Sequence, residues 1–352
     1  MGNVRWGVIG SGYVAREFAQ ALAEVAGGQI NAIWSNTNEH AKRFASSFGI
    51  PNVVRTVEEL AHSDDVDAVY VASLNHLHFP HAYQAIQAGK PVLVEKPFTL
   101  NAQEAEKLID AAREKRVLCM EAMWTRFVPA VREARRLAGT GVIGDVLGVE
   151  AALGMCQKKD VDSRFFRKEF GGGALYDMGV YPLYLVMDFM GMPTATESTA
   201  AILQETQVDE SCSLSLRYPN GRSASIRCSI TGVIEEDAVI TGERGSIIIH
   251  PPLFRPYRLT LTTMPTEQVS RSERTKKGFL ASVLSRLSGA GKPRSRTFKI
   301  PFNNNGYGYQ VEEFMASLEK GEIENPTMPL SDTLNAMRIM DEARAQWRTA
   351  RI

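Results

Sequence analysis

Cysteine is scarce in this chain, and its spacing argues against the chemistry that cysteine usually brings. Cys119, Cys156, Cys212 and Cys228 are the only 4 in 352 residues, with no Cys-x-x-Cys among them, so neither a disulfide framework nor a zinc ribbon is expected. An excess of charge is also missing, since 40 Lys and Arg stand against 40 Asp and Glu. A balanced chain has no overall field drawing it to nucleic acid or to an anionic membrane. No uninterrupted apolar run is long enough to cross a bilayer, and there is no internal repeat. The N-terminus enters a strand pattern rather than the apolar core of a signal peptide. These absences point to a reducing cytoplasm, with small molecules and other protein subunits as partners. Hydrophobic residues at 44% and charged ones at 23% are ordinary for a globular protein, and the length favours two domains over one.

What is present begins with a short apolar run, Val4 to Ile9, broken by Gly7 and followed by Gly10-Ser11-Gly12. From Tyr13 a helical pattern sets Val14, Phe18, Leu22 and Val25 on one face, so the segment reads as strand, tight turn and helix. In the resulting Gly-x-Gly-x-x-Ala, Gly10 allows the turn and Gly12 lets the backbone approach a pyrophosphate. Ala15 lets the helix pack on the strand, with the helix N-terminus facing the phosphates. Glu95-Lys96-Pro97 follows directly on a buried strand, Pro91 to Val94. Pro97 restricts the backbone at that strand's C-terminal edge, where ligands bind in such sheets. The two motifs together read as a nucleotide site with a cation at its edge.

The first third alternates strand and helix. Runs at Ile30 to Trp34, Asn52 to Val54, Ala68 to Ala72 and Leu118 to Glu121 are separated by helices near Glu39 to Phe48 and Pro80 to Gln87. A further helix is capped by Asn101 with Glu104 three residues on. Such alternation gives a parallel, doubly wound sheet covered on both faces. After a helix near Pro129 to Ala138 the pattern changes to successive strands from Val146 to Thr263, with Asn220-Gly221 as a hairpin turn. Helices from Gly308 to Lys320 and Ser331 to Trp347 end the chain. The expected fold is an α/β Rossmann domain over residues 1–122 and an α+β domain over 123–352 with a large, mainly antiparallel open sheet.

Four segments carry a resemblance: Gly-Ser-Gly-Tyr-Val-Ala at 10–15, Asn75-His76-Leu77-His78, Ala88 to Pro97, and Gly172-Gly173-Ala174-Leu175-Tyr176-Asp177-Met178-Gly179-Val180-Tyr181. The chain resembles, from end to end, the superfamily of glucose-fructose oxidoreductase, inositol dehydrogenase and MocA. Glu121 to Phe127 and Tyr181 narrow the likeness to dimeric dihydrodiol dehydrogenases and NADP-dependent aldose dehydrogenases of the xylose type. The resemblance implies hydride transfer between a nicotinamide and a carbinol carbon of a sugar, cyclic polyol or diol. It sets Gly10, Gly12, Tyr13, Val14, Ser35, Asn36, Asn75, His78, Glu95, Lys96 and Pro97 against the nucleotide, and Trp124, Arg126, Asp177 and Tyr181 around the substrate. Such a reaction needs a base for the hydroxyl proton and a cation to stabilise the developing alkoxide. Lys96 and Tyr181 supply that pair, and Asp177 is brought beside Tyr181 by its i, i+4 spacing at a helix start. The superfamily often has His where Tyr181 stands. Tyr181 is favoured here as acid/base and Lys96 as its electrostatic partner, with Lys96 the alternative base.

The bland readings are a surface lysine for Lys96, a helix cap for Asp177 and core packing for Tyr181. For Trp124 and Arg126 they are a core aromatic and a salt bridge. His76, His78 and His81 have no Cys or carboxylate cluster beside them, so no metal is expected. The end of the second strand, Trp34-Ser35-Asn36-Thr37-Asn38, has no acid to read a free ribose hydroxyl. NADP is therefore preferred to NAD, with Asn36 in place of the usual arginine and His40, Lys42 or Arg43 as substitutes. Ser270 to Thr297 carries 8 cations against the single acid Glu273, with Phe279, Leu280, Val283, Leu284 and Leu287 on one helical face. It reads as a mobile solvated loop or as an element that docks on an acidic partner or membrane surface. The outer face of the second sheet is expected to bury itself in a homodimer. The competing functions are a non-catalytic NADP-binding sensor of the same fold, and a sugar–sugar oxidoreductase that keeps its nucleotide.

Overall fold

The computed structural model describes residues 3–264 and 292–349. The amphipathic helix expected around Phe279 to Leu287 lies outside the described residues. The first layer is a six-stranded sheet of β1 (Val4–Ile9), β2 (Gly28–Trp34), β3 (Asn52–Val53), β4 (Ala68–Val71), β5 (Val92–Glu95) and β6 (Cys119–Ala122), ordered β3-β2-β1-β4-β5-β6. Every pairing is parallel, so each crossover must carry a helix or loop over a face. The order reverses between β1 and β4, and ligands bind at such a switch point, beyond the strands' C-terminal ends.

The helices of this layer are α1 (Tyr13–Leu22), α2 (Asn38–Phe48), α3 (Val57–Ala61), α4 (His78–Gln87) and α5 (Ala102–Lys115). In α1, Ala15, Phe18, Ala19, Ala21 and Leu22 are buried, the face that the sequence periodicity marks. The Asn101 side chain accepts the Glu104 amide at 2.8 Å, and Glu104 reaches back to the Leu100 amide at 3.2 Å, so α5 starts where the capping pattern puts it.

After α6 (Pro129–Gly139) the chain builds an eight-stranded sheet of β7 (Val146–Gly154), β8 (Ala195–Ile202), β9 (Asp209–Arg217), β10 (Ser223–Ser229), β11 (Ala238–Gly242), β12 (Gly245–Ile249), β13 (Arg258–Thr263) and β14 (Arg294–Lys299). Its order is β14-β13-β12-β11-β7-β10-β9-β8, antiparallel except between β7 and β10. Asn220 and Gly221 join β9 to β10 at φ 61° and 75°, the left-handed pair that a tight hairpin demands. β14 is an edge strand with exposed or half-buried side chains throughout, so no apolar alternation betrays it in the sequence. Cys212, Leu214 and Leu216 of β9 and Ala224, Ile226 and Cys228 of β10 point inward. The core they build includes α7 (Val180–Met190), which is apolar around most of its circumference.

The last helices, α8 (Gly308–Glu319) and α9 (Leu330–Thr349), return to the first layer. Phe314 of α8 packs on Trp6 at 5.0 Å between ring centroids, and Asp341 of α9 accepts the Ala102 amide at 2.7 Å. The same α9 braces β8 through Gln346, which accepts the Ser198 amide at 2.8 Å. The two layers are thereby locked together, and Lys96 at the end of β5 meets Asp177 of the other layer.

Candidate active site

At the end of β1 the Gly10 amide donates to the Trp34 carbonyl at 2.8 Å, tying the turn to β2. Gly10 has φ +110°, and a Cβ there would overlap the carbonyl of Ala72 at the end of β4. Conformation and contact both require glycine. Gly12 meets a different condition. It precedes α1 in extended conformation, no side chain caps the helix, and no acid occupies its first turn. A Cβ added to Gly12 would meet nothing within 4 Å. Free amides at a helix start facing open space suit a pyrophosphate, so the residues present fit a dinucleotide. Tyr13 is exposed and Val14 half-buried at the lip of this cradle. Beyond β2, Ser35 Oγ lies 2.8 Å from Ser11 Oγ and donates to Asn36 Oδ1 at 3.3 Å, a polar shelf where a ribose would rest.

Lys96 leaves the end of β5. Its ammonium donates to the Asp177 carbonyl at 2.9 Å and stands 4.8 Å from the centroid of the Tyr181 ring. Buried polar side chains pin the backbone around it. Glu95 accepts the Tyr70 hydroxyl at 2.5 Å and the Lys96 amide at 3.2 Å. Burial pushes the Glu95 carboxyl up to about 7 against those hydrogen bonds. Glu121 accepts the Phe98 amide at 3.2 Å and the Tyr184 hydroxyl, and burial raises it likewise to about 7. His78 sets Nδ1 2.7 Å from the Pro97 carbonyl and Nε2 3.1 Å from the Ser73 carbonyl. Burial lowers it to about 4, so the ring is neutral at pH 7 and donates to one of the two.

Asp177 and Tyr181 come from the other layer. Gly172-Gly173-Ala174 leads into a single π-helical turn, Leu175–Gly179, which runs on into α7. Asp177 lies inside the turn and does not cap it. Its Oδ1 accepts Arg164 Nη1 at 2.8 Å, while its buried Oδ2 has no hydrogen-bond partner. The Tyr181 hydroxyl accepts Trp124 Nε1 at 3.3 Å. Trp124 stacks on Tyr307 with centroids 4.6 Å apart, and Arg255 lies over Trp124 while pairing with Glu17 of α1 at 3.2 Å. Lys96, Trp124, Asp177 and Tyr181 are thus brought together, with a partly exposed ammonium, an unpartnered carboxylate oxygen and a phenol among their polar groups.

Arg126 is placed otherwise. Buried to 6% exposure, it gives Nε to Asp188 at 2.7 Å, Nη1 to Met328 Sδ at 3.3 Å and Nη2 to Asp332 at 2.7 Å. Its donors are turned into an ion-pair network under Tyr184, the salt-bridge role rather than the substrate-facing one. Asn75, also buried, donates to the Gly171 carbonyl at 2.9 Å, and His76 stacks on Phe170, so this segment joins the two layers. Arg164, Arg255, Tyr307 and Asp209 are the site's unforeseen members. Their signal lies in tertiary contacts across 13 residues for Arg164 to Asp177 and 34 for Asp209 to Leu175, and no local pattern marks them. Among the described residues no group of three or more His, Cys, Asp or Glu is close enough to hold a metal, and no helix is long and apolar enough to cross a membrane.

A dinucleotide cradle on a parallel sheet, with a lysine, an aspartate and a tyrosine at its open edge, defines a nucleotide-dependent oxidoreductase. Residues 4–123 match the oxidoreductase family with an NAD-binding Rossmann fold, GFO/IDH/MocA, and residues 131–248 match the GFO/IDH/MocA C-terminal domain. The chain belongs to this family of NAD(P)-dependent oxidoreductases. It is 33% identical to the trans-1,2-dihydrobenzene-1,2-diol dehydrogenase of Xenopus tropicalis over 97% of each chain. The human enzyme of that name is 30% identical over 97% of this chain and 96% of its own. Among solved structures, the 3-ketoreductase KijD10 of Actinomadura kijaniata, in complex with NADP and TDP-benzene, superposes with TM-score 0.79 at 27% identity over 97% of both chains. The aldose–aldose oxidoreductase of Caulobacter crescentus shares the fold with TM-score 0.81 at 24% identity over 98% of both.

Proposed function

We propose that this protein transfers a hydride between NADP and a carbinol or carbonyl carbon of a trans-dihydrodiol, cyclic polyol or sugar. The observation that carries the reading is the convergence of Lys96, Asp177 and Tyr181 at the C-terminal edge of β5, next to the cradle formed by Gly10 and Gly12. The nicotinamide, when bound, supplies the hydride acceptor or donor. In the oxidative direction the Tyr181 oxygen takes the substrate hydroxyl proton, and in the reductive direction it returns one. The Trp124 N–H orients that oxygen. The Lys96 ammonium, held by the Asp177 carbonyl against the Tyr181 ring, places positive charge where alkoxide character develops. Asp177 Oδ2, buried without a partner, accepts a hydroxyl of the substrate.

The preference for NADP rests on Asn36, where an acid would otherwise repel a 2′-phosphate, and on His40, Lys42 and Arg43 in the first turns of α2. The names of the relatives support the diol and sugar classes. The outer face of the second sheet carries a cavity lined by Thr199, Ser211, Ser213 and Arg227, and this face is proposed to meet a second copy in a homodimer. Sedimentation as a dilute stable monomer would exclude that. The chemistry is tested by supplying NADP with trans-dihydrodiols, cyclic polyols and aldoses and following formation of the reduced nucleotide. Turnover with at least one class supports the reading, and none with any class in either direction would overturn it.

A further inference from the structure

Asp209 opens β9 as a buried carboxylate, 6% exposed, that the hydride chemistry does not use. It is spent on the backbone of the turn that carries Asp177. Its Oδ2 accepts the Leu175 amide at 2.7 Å. Leu175 begins the π-helical turn, and Ala174 before it brings no side-chain cap. A neighbouring strand therefore supplies the carboxylate that a helix start lacks. Oδ1 occupies the place any side chain on Gly173 would take, and Gly173 holds φ +125°. The carbonyl of that same glycine accepts the Asp177 amide at 3.1 Å. One carboxylate thus fits against the glycine, bonds the head of the turn, and stands behind the residue whose carbonyl holds Lys96.

We infer that Asp209 is a positioning residue for the reaction: by capping the turn Leu175–Gly179 from β9, it sets where Asp177, the Lys96 ammonium and Tyr181 stand. The inference rests on the hydride-transfer reading above. Asp209 need touch neither substrate nor nucleotide. The charged and titratable groups facing it are Asp177 and Tyr176 from the turn, Arg344 from α9 and Cys212 on its own strand. Lys168 shares with it and Arg344 the wall of a cavity of about 260 Å³. Burial pushes the Asp209 carboxyl up to about 7, Asp177 adds to the rise, and the Leu175 amide and Arg344 oppose it. Above that pH the cap is charged and strong, and below it the cap is neutral and weaker. Glu95 and Glu121 are raised to about 7 as well, so a limb near neutrality in the rate profile is assigned to Asp209 only where Asp209→Asn removes it.

The test compares Asp209→Ala and Asp209→Asn with the wild type in kcat, KM, nucleotide affinity, pH profile and amide exchange of residues 175–179. The alanine variant should lose roughly tenfold to a hundredfold in kcat through misplacement of the turn, with nucleotide affinity held within about twofold because the cradle lies on another element. Exchange of the turn amides should rise. The asparagine variant keeps a neutral acceptor oxygen, so its kcat should lie above that of the alanine variant and near the acid-side rate of the wild type at every pH, without the limb near neutrality. Wild-type kcat and an unaltered limb in both variants would overturn the inference. Should the alanine variant not fold, the asparagine variant's pH profile decides. A wild type with no turnover on any diol, polyol or sugar would instead sink the reaction itself, and the exchange of the turn amides would still decide what Asp209 holds.

Discussion

Gly10 and Gly12 sit two residues apart, yet the same methyl group should act on them in opposite ways. In Gly10→Ala the new Cβ would lie 2.7 Å from the Ala72 carbonyl carbon and force an L-residue to φ +110°. Backbone on both sides leaves nothing flexible to give way, so the apo protein should lose about 3 kcal/mol or more, visible as a fall of several degrees in Tm. Gly12 holds φ −76° and ψ −168°, which alanine adopts freely, and its Cβ would meet no protein atom within 4 Å. Gly12→Ala should leave the apo Tm unchanged or slightly raised. The methyl then occupies the space a pyrophosphate needs. Losing close approach to one or two amides, each hydrogen bond to a charged group being worth about 1.5–3 kcal/mol, should weaken NADP binding by about 2–3 kcal/mol, or roughly 30- to 150-fold. Thermal unfolding of the apo variants and calorimetric titration with NADP separate the two effects. Wild-type affinity in Gly12→Ala would refute the placement of the phosphates, and an undiminished Tm in Gly10→Ala would refute the reading of the turn.

Tyr181→Phe keeps the ring beneath Lys96 but removes the hydroxyl bonded by Trp124. Its kcat should fall by about 10²–10⁴ with nucleotide binding intact, and a pH profile of wild-type shape would transfer the proton to Lys96. Arg126→Ala should destabilise by about 3 kcal/mol, because Asp188, whose side chain is 2% exposed, would keep only Arg135 at 3.6 Å as its cation. A loss below about 1 kcal/mol, with weaker substrate binding, would return Arg126 to the substrate. Burial raises Glu95, Glu121 and Asp209 to about 7 from ordinary values of 4.5, 4.5 and 3.8, so in the folded state they keep protons that the unfolded chain releases. Their cost is absent below the unfolded values and grows as pH rises towards 7. His78 and His81, lowered by burial to about 4 from 6.5, remove stability as pH falls below 6.5. Tm should therefore stay level from pH 8 to about 7, rise as pH is lowered below 7, and rise less steeply below 6.5, where the two histidines offset two of the three acids; a Tm that climbs as pH is raised from 6.5 to 7 would contradict it.

Local rules made much of the fold legible. The Gly10 and Gly12 turn, the Asn101 cap, the Asn220-Gly221 hairpin and the buried run ahead of Lys96 are each decided within a few residues of chain, where backbone sterics and capping dominate. The parallel pairing of the first layer's strands followed from alternation alone, while their order is read from the fold. What stayed hidden depends on residues that meet only in the fold. Arg126 lies in the same short segment as Trp124, yet Asp188 and Asp332, 62 and 206 residues away, decide which way it faces. Asp209 sits in a polar stretch that could belong to any exposed strand end, and its burial comes from the turn packed over it. The i, i+4 spacing of Asp177 and Tyr181 spans a π-helical turn joined to α7, a geometry that side-chain periodicity does not distinguish from a regular helix.

The most direct measurement is single-turnover hydride transfer by Lys96→Met, with NADP and a trans-dihydrodiol or aldose that the wild type oxidises, alongside a titration of the same variant with NADP. If the Lys96 ammonium stabilises the alkoxide at the edge of β5, the rate should fall by about 10²-fold or more while NADP affinity stays close to wild type, because the phosphates rest on Gly10, Gly12 and the start of α1. A rate equal to wild type would contradict the assignment of the active site, and a loss confined to NADP affinity would make Lys96 a nucleotide-binding residue and no part of the chemistry.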